Sequence, residues 1–285
     1  MGSTLSNLAV CAKYEIRLWG GRIVRRALGR STISPLSNRV SPGKQKRLIF
    51  RQGFAVGDGS PTWFYSALDR GDADPLTNYA LDYLIQTVPH EDAVLITGCG
   101  TGITAFHLED AGFRDVTGLD LLPDCIAIAN EVKRVGKYTG SAFVVGNALQ
   151  PELRSSYDVI TAMHWVFSAW MGNYGNDRAQ ADQARQPEHR ERLLSDLLAQ
   201  YVPHLRPNGT FLIELTDAVT DYRLEQDHPL GAASKAIYLV RHTPEQVEKC
   251  ARQQGLAIVD QKLCVSYGHQ PRTLYIMKKA SAEAG

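Results

Sequence analysis

The chain has 285 residues, of which 44% are hydrophobic, so it can bury a core of ordinary size and is not a disordered protein. No apolar run approaches the roughly 20 residues needed to span a bilayer, and the amino terminus lacks the apolar stretch of a secretory signal, which predicts a cytoplasmic protein. The five cysteines are scattered without a Cys-x-x-Cys pair, which argues against a disulfide framework or a zinc site and predicts reduced thiols.

The net charge of +1 hides an uneven distribution of charge along the chain. Residues 1–57 contain eleven Lys or Arg and one acid, whereas the rest carries 20 basic and 29 acidic side chains. In this basic arm, apolar residues at helical spacing over 8–28 predict a basic amphipathic helix, followed by a Ser- and Pro-rich linker over 31–43. Three roles fit the pattern: a helix packed on the protein's own domain, packing on a partner subunit in a homodimer, or peripheral contact with a membrane.

Residues 58–285 are predicted to form one domain in which helices and strands alternate. The predicted elements are a helix over 75–88, a strand over 93–96, a helix over 103–108, a strand over 116–119, a helix over 123–135, strands over 142–145 and 157–162, a helix over 188–201, a strand over 210–215, a helix capped by Thr243 and ended by Gly255, and strands over 256–265 and 273–277. This order predicts an α/β fold with a doubly wound, mostly parallel sheet of seven strands. No helix fits between the last two strands, which therefore predict an antiparallel hairpin.

The most informative stretch is 94–104, an apolar run that ends in three glycines, Gly98, Gly100 and Gly102. Glycine lets the backbone turn tightly and approach a ligand closely, and the following helix would present free amide groups to negative charge. A dinucleotide fingerprint would require glycine or alanine at position 103, where this chain has Ile103. A structural glycine turn and a site for another nucleotide are the alternatives.

The Gly-x-Gly-x-Gly spacing resembles the first motif of class I S-adenosylmethionine-dependent methyltransferases. Asp120 follows the second strand, as the ribose-binding acid of that family does, and Asn147 and Ala148 resemble its adenine-binding pair, although the family usually has Asp in place of Asn. The segments 156–162 and 205–213 are similar to its fourth strand and to its turn into the fifth. The resemblance covers about residues 74–279.

The resemblance implies S-adenosylmethionine as the cofactor and S-adenosylhomocysteine as the product. It further implies an arginine that reaches the carboxylate of the cofactor, for which Arg70 is the candidate, with a surface arginine as the alternative. The implied cofactor-binding residues are Gly98, Cys99, Gly100, Gly102, Asp120, Leu121, Asn147, Ala148 and Arg70.

Methyl transfer from an activated sulfonium is an in-line displacement that requires alignment of donor and acceptor and no metal. An acceptor hydroxyl or ammonium must lose a proton, and His164, directly after the fourth strand, is the candidate base because the reference pKa of histidine, about 6.5, suits proton transfer near neutrality. A structural histidine is the alternative. Candidates for binding the acceptor are the aromatic side chains Trp165, Trp170 and Tyr174, expected to wall a pocket, with core packing as their alternative. Weaker candidates are the acidic side chains after the fifth strand, Glu214 and Asp217, with a solvated loop as their alternative.

The polar insert 171–187 falls where this family commonly elaborates its acceptor site, and we expect it to form a mobile lid. The predicted function is methylation of an oxygen, nitrogen or sulfur atom of a small-molecule metabolite. The alternatives are a lipid-linked glycan or other membrane-associated acceptor, with the basic arm as tether, and a non-catalytic module that binds the cofactor. A nucleic-acid acceptor is disfavoured because the body of the protein is acidic and the fourth strand ends in Met-His-Trp-Val.

Overall fold

A computed structural model of the chain describes residues 75–153, 156–170, 178–217, 224–226, 236–238, 240–264 and 271–281. The basic arm predicted over 1–57 lies outside these ranges, and so does the predicted boundary at residue 58. Arg70, Tyr174 and residues 171–177 of the predicted lid also lie outside the described residues.

The described ranges contain the predicted elements in the predicted order, together with two short helices that were not predicted, Val166–Ala169 and, within the predicted lid, Arg178–Gln183. The helices are α1 (Pro75–Thr87), α2 (Ile103–Asp110), α3 (Pro123–Gly136), α4 (Val166–Ala169), α5 (Arg178–Gln183), α6 (Pro187–Tyr201) and α7 (Pro244–Gln253). The strands are β1 (Ala93–Thr97), β2 (Asp115–Asp120), β3 (Ser141–Val145), β4 (Tyr157–Ala162), β5 (Leu205–Asp217), β6 (Leu224–Gln226), β7 (Ala236–Tyr238), β8 (Arg241–His242), β9 (Leu256–Cys264) and β10 (Arg272–Lys279).

The main sheet has the strand order β3-β2-β1-β4-β5-β10-β9. The first five of these strands pair in parallel, and β10 is antiparallel to both β5 and β9. The predicted doubly wound sheet with a carboxyl-terminal hairpin is therefore confirmed. Two short pairings were not predicted: β8 adds to the end of β5, and β6 pairs with β7 in a separate ribbon. The strand order changes direction at β1: β2 and β3 are added on one side of it, and β4 and β5 on the other. In folds of this kind a crevice lies at the carboxyl ends of the two strands where the order changes, here β1 and β4.

The sheet is covered on both faces, which explains why its central strand is apolar throughout. All five residues of β1 are buried. Val94 and Ile96 pack into the cluster formed by α1, α2 and α3, whereas Leu95 packs into the cluster formed by α6 and α7. Burying both faces of one strand fixes its position firmly, so the loop that follows β1 starts from a rigid support.

The predicted start of α7 is confirmed in detail. The Thr243 side chain accepts a hydrogen bond from the Gln246 amide, and the Gln246 side chain accepts one from the Thr243 amide, which forms a capping box. Gly255, just beyond the helix, has the positive φ of 70° that favours glycine at such an end.

None of the helices in the described ranges is long and apolar enough to cross a membrane. Four of the five cysteines lie in these ranges, and all four are free thiols: Cys99, Cys125, Cys250 and Cys264.

His242 of β8 gives the fold a pH-dependent stability. Its ring is buried, its Nε2 donates a hydrogen bond of 3.0 Å to the Arg190 carbonyl, and its centroid lies 5.6 Å from that of Trp170. Burial disfavours the charged imidazolium and lowers the pKa of His242 to about 4. In the unfolded chain the same group titrates near its ordinary value of about 6.5.

We therefore expect His242 to reduce stability progressively as the pH falls from about 6.5 to about 4, because only the unfolded chain takes up its proton in that interval. The contribution lost at pH 4 is about 3 kcal/mol relative to pH 7. Urea unfolding at several pH values measures it, and the His242→Gln variant should show a decline that is smaller by this amount. Parallel pH curves for the two proteins would contradict the assignment.

Candidate functional site

The three glycines after β1 all adopt left-handed backbone conformations, which glycine tolerates better than other residues do. Their φ angles are 65° at Gly98, 54° at Gly100 and 83° at Gly102, all in the left-handed region. The loop is tied to the next strand by a hydrogen bond of 3.0 Å from the Cys99 amide to the Leu119 carbonyl. The backbone therefore turns sharply from β1 into α2 at the carboxyl edge of the sheet.

The three glycines differ in what surrounds them. A Cβ on Gly98 would lie 2.3 Å from Cδ1 of Trp165, and one on Gly102 would lie 2.8 Å from the Phe143 ring, so packing requires glycine at both positions. A Cβ on Gly100 would meet no atom within 4 Å. The side of Gly100 on which a side chain would stand is open, and a ligand can approach the backbone there.

This difference predicts different costs for two alanine substitutions. Gly98→Ala should destabilise the fold by about 2–4 kcal/mol, because it combines a left-handed alanine with displacement of the Trp165 ring. Gly100→Ala should cost only the conformational strain of about 1–2 kcal/mol. Chemical denaturation without ligand measures both, and equal losses would show that Trp165 does not restrain the loop.

Asp120, at the end of β2, holds the loop from the other side. Its Oδ2 accepts a hydrogen bond of 2.8 Å from the Gly100 amide, and its Oδ1 accepts one of 2.9 Å from the Leu122 amide. Burial raises the pKa of Asp120, and the amides that bond to it oppose that rise. The carboxylate thus joins the glycine loop to the end of β2 and keeps further lone pairs for a ligand.

Leu121, Asn147 and Ala148 lie at the ends of β2 and β3. The side chain of Leu121 is 51% exposed and leaves an apolar surface for a flat ring beside the Asp120 carboxylate. Asn147 is exposed, and its Oδ1 accepts a hydrogen bond of 2.9 Å from the Leu149 amide. Ala148 is buried, and its carbonyl accepts a hydrogen bond of 2.6 Å from the Tyr201 hydroxyl.

The Cys99 side chain, in the glycine loop, is an uncharged thiol. Burial, and then the nearby charge of Asp120, raises the pKa of the Cys99 thiol well above its ordinary value, so Cys99 is protonated near neutrality and is not a nucleophile.

The hydroxyl of Thr101, also in the glycine loop, is buried and has no hydrogen-bond partner among the described residues. Buried hydroxyls are nearly always hydrogen-bonded, so the Thr101 hydroxyl fits a site in which a ligand supplies the missing partner.

His164, directly after β4, lies in a polar cluster. It has a φ of 68°, a left-handed conformation that is uncommon for a residue with a side chain and that is often found at functional sites. Its amide donates a hydrogen bond of 3.0 Å to Oε2 of Glu214, and its Nδ1 lies 3.2 Å from the same oxygen. Its Nε2 lies 2.8 Å from the hydroxyl of Thr77 on α1.

Glu214 is the centre of this cluster. The carboxylate is 0% exposed, and Oε1 contacts the guanidinium of Arg272 on β10. Oε2 can only accept, so the His164 tautomer with its proton on Nδ1 directs that proton towards Glu214 and leaves Nε2 as an acceptor. Glu214 therefore orients His164 rather than facing a bound molecule directly.

The structure brings together only part of the predicted acceptor site. Trp165 lies over Gly98 and donates a hydrogen bond of 3.0 Å from Nε1 to the Thr97 carbonyl, beside His164. Trp170 is buried in the core on the other face of the sheet, against His242. The side chain of Asp217 lies outside the described residues.

Thr77 and Arg272 are site residues that sequence reasoning missed. Thr77 occupies a buried position in the first turn of α1, and Arg272 begins an antiparallel strand. No local pattern marks either residue, because each is defined by a partner far away in the chain.

Comparison with known protein families identifies a domain in the part of the chain that contains the glycine loop. Residues 94–175 match the family described as Methyltransferase domain. A curated relative, the ribosomal protein L11 methyltransferase of Laribacter hongkongensis (strain HLHK9), is 27% identical over 137 residues, which cover 48% of this chain and 41% of the relative. The chain thus spans less than half of the length of that relative.

Solved structures share the fold. The crystal structure of magnesium protoporphyrin IX methyltransferase from Synechocystis PCC 6803 with bound SAH has a TM-score of 0.54 at 14% identity and covers 83% of this chain and 93% of its own. The (4+2)-cyclase SpnF has a TM-score of 0.51 at 14% identity and covers 72% of this chain and 82% of its own. At such identities the likeness establishes the fold alone.

Proposed function

We propose that this chain, which has the fold and the matching domain of the class I S-adenosylmethionine-dependent methyltransferases, transfers a methyl group from S-adenosylmethionine to an oxygen, nitrogen or sulfur atom of a small-molecule metabolite. The observation that carries the proposal is the hydrogen bond between the left-handed glycine loop and the half-buried carboxylate of Asp120, at the carboxyl edge where such folds bind their ligands.

The residues at this edge fit S-adenosylmethionine. The open side of Gly100 and the unpartnered hydroxyl of Thr101 suit the amino acid portion of the cofactor, and Asp120 suits hydrogen bonds from the ribose. The exposed Leu121 and the amide of Asn147 suit the flat, polar-edged adenine, with Ala148 behind it. When bound, the cofactor supplies a methyl group that is already activated for in-line displacement.

Further contacts with the cofactor are proposed for the other residues of the glycine loop and for Arg70. Gly98, Cys99 and Gly102 would contribute backbone atoms of the loop. Arg70 stays a prediction for the cofactor's carboxylate.

The role proposed for His164 is that of general base. In the tautomer with its proton on Nδ1, its Nε2 takes the proton of an acceptor hydroxyl or ammonium. In the structure Nε2 bonds to the Thr77 hydroxyl, so an acceptor reaches it either by replacing Thr77 or through that hydroxyl. Glu214 stabilises the imidazolium that forms, because its buried carboxylate faces Nδ1–H.

Trp165 is proposed to border the acceptor, since it lies between His164 and the glycine loop. Trp170 supports the site from the core, and Tyr174 stays a prediction. Because Glu214 is fully buried, we propose that it acts on the acceptor through His164.

The cofactor assignment is tested by Asp120→Ala. Loss of charge-assisted hydrogen bonds should weaken the binding of S-adenosylhomocysteine by about 1.5–3 kcal/mol, or roughly 10- to 100-fold. Isothermal titration calorimetry measures the affinity. Asp115→Ala, at the opposite end of the same strand, is the matched control and should bind as the unsubstituted protein does. Equal affinity of all three proteins would sink the assignment.

A membrane-associated acceptor is the second candidate, and it is supported by the excess of basic side chains in residues 1–57. Co-sedimentation with anionic vesicles, for the full chain and for a chain without residues 1–40, distinguishes the two candidates. Vesicle binding that depends on the arm supports the membrane acceptor, and absence of binding supports a soluble metabolite. A cytoplasmic location and a homodimer stay predictions.

A further inference from the structure

Three polar side chains form a row across neighbouring strands at the carboxyl edge of the sheet. In the strand register, Thr216 of β5 lies opposite Arg272 of β10 on one side and opposite Arg241 of β8 on the other. Side chains at paired positions point to the same face of a sheet, so a hydroxyl stands between two guanidinium-bearing residues.

The row lies next to Glu214, the partner of the proposed base. Thr216 follows Glu214 by two residues on β5 and therefore shares its face, one step nearer to the carboxyl edge. The contact between Arg272 and Glu214 confirms that Arg272 is on this face, and Glu214 in turn bonds to His164. The row and the His164 ring thus border the same part of the edge.

The chemistry of the row matches an anion. Thr216 is 1% exposed, and its Oγ1 has no hydrogen-bond partner among the described residues, although a buried hydroxyl nearly always has one. Arg241 is also 1% exposed. Arginine is the residue of choice for binding carboxylate and phosphate oxygens in sites from which water is excluded.

We propose that Arg241, Thr216 and Arg272 bind an oxyanion, a carboxylate or a phosphate, of the methyl acceptor and thereby direct its nucleophilic atom towards His164. The inference rests on the proposed function and narrows the acceptor to an anionic metabolite. The Thr216 hydroxyl donates to one oxygen of the anion, and the guanidinium groups neutralise its charge.

Titration with simple anions tests the row without knowledge of the acceptor. Sodium acetate and sodium phosphate are added to the full chain, each against sodium chloride of equal ionic strength, while the Nε–Hε signals of the arginines are followed by NMR. Saturable shifts of the Arg241 and Arg272 signals with either anion are expected. Thr216→Val, which keeps the shape of the side chain, should weaken this binding about tenfold.

Thr210→Val is the matched control, because Thr210 is buried on the same strand and the same face at the opposite edge of the sheet. Its anion binding should equal that of the unsubstituted protein. A second variant, Arg241→Lys, keeps the charge without the planar fork and should also weaken binding.

The inference is overturned if neither anion shifts these signals beyond the chloride control, or if Thr216→Val binds as tightly as Thr210→Val. Calorimetry with S-adenosylhomocysteine on the same samples separates the two proposals. Cofactor binding without anion binding overturns the anion site alone, and anion binding without cofactor binding overturns the proposed function and leaves an anion site without a methyl acceptor.

Discussion

Replacing Glu214 with alanine is expected to lower the free energy of unfolding by about 3–5 kcal/mol. The carboxylate is fully buried and faces both the Arg272 guanidinium and the His164 ring and amide. Its removal takes away the buried charge that faces the partly buried Arg272 cation and the acceptor of the part-buried His164 amide. Chemical denaturation at neutral pH measures the effect.

Two variants make this result specific. Glu214→Gln keeps an oxygen that accepts from the His164 amide but removes the charge, so its loss should lie between zero and that of alanine. Glu248→Ala, on the exposed side of α7, is the control and should change stability by no more than about 0.5 kcal/mol. A loss for Glu214→Ala as small as that of the control would show that the cluster does not contribute to the fold.

His164→Asn is expected to lower kcat by about 10²- to 10⁴-fold, the usual contribution of a general base. Asparagine is chosen because it tolerates the left-handed conformation that His164 adopts, so the backbone at the end of β4 should be preserved. The affinity for S-adenosylhomocysteine should not change, because the His164 ring contacts Thr77 and its amide bonds to Glu214 on the acceptor side of the site. Steady-state methyl transfer and calorimetry measure the two quantities.

The control for this substitution is His90→Asn, an exposed histidine in the turn before β1. Turnover should be unchanged in that variant. If His164→Asn also kept its turnover, the ring would be structural, which is the alternative that the sequence left open. If it lost cofactor affinity in proportion to turnover, the residue would belong to the cofactor site instead of acting as the base.

The parts of the fold that could be predicted depend on local signals. The apolar run of β1 and the glycines after it lie within a dozen residues, and the spacing from Gly98 to Asp120 spans a single strand-helix-strand unit. The capping box of α7 is contained in four residues. In such cases neighbouring residues carry the whole signal, and the structure confirms the predicted elements.

The parts that could not be predicted depend on pairs of residues far apart in the sequence. His164 bonds to Thr77 across 87 residues and to Glu214 across 50, and Arg272 reaches Glu214 across 58. The left-handed backbone of His164 is held by these partners rather than by its neighbours in the chain. The two-residue strand β8 has no length over which an alternating pattern could appear.

Trp165 shows how tertiary packing changes the reading of a motif. From the sequence it was a candidate wall of the acceptor site, and Gly98 was a position kept free for a ligand. In the structure the Trp165 ring occupies the space beside Gly98 and bonds to Thr97, so this glycine accommodates a side chain of the protein itself. Gly100 is the position of the loop that faces open space.

The central claim is that the protein transfers a methyl group from S-adenosylmethionine. Its most direct test is incubation of the full chain with methyl-labelled S-adenosylmethionine and a metabolite extract, followed by separation of labelled products. The account predicts that label moves to at least one anionic metabolite and that this transfer falls strongly in Asp120→Ala and in His164→Asn. It is contradicted if the protein binds S-adenosylhomocysteine and yet transfers no label to any component, which would make the domain a module that binds the cofactor without catalysis.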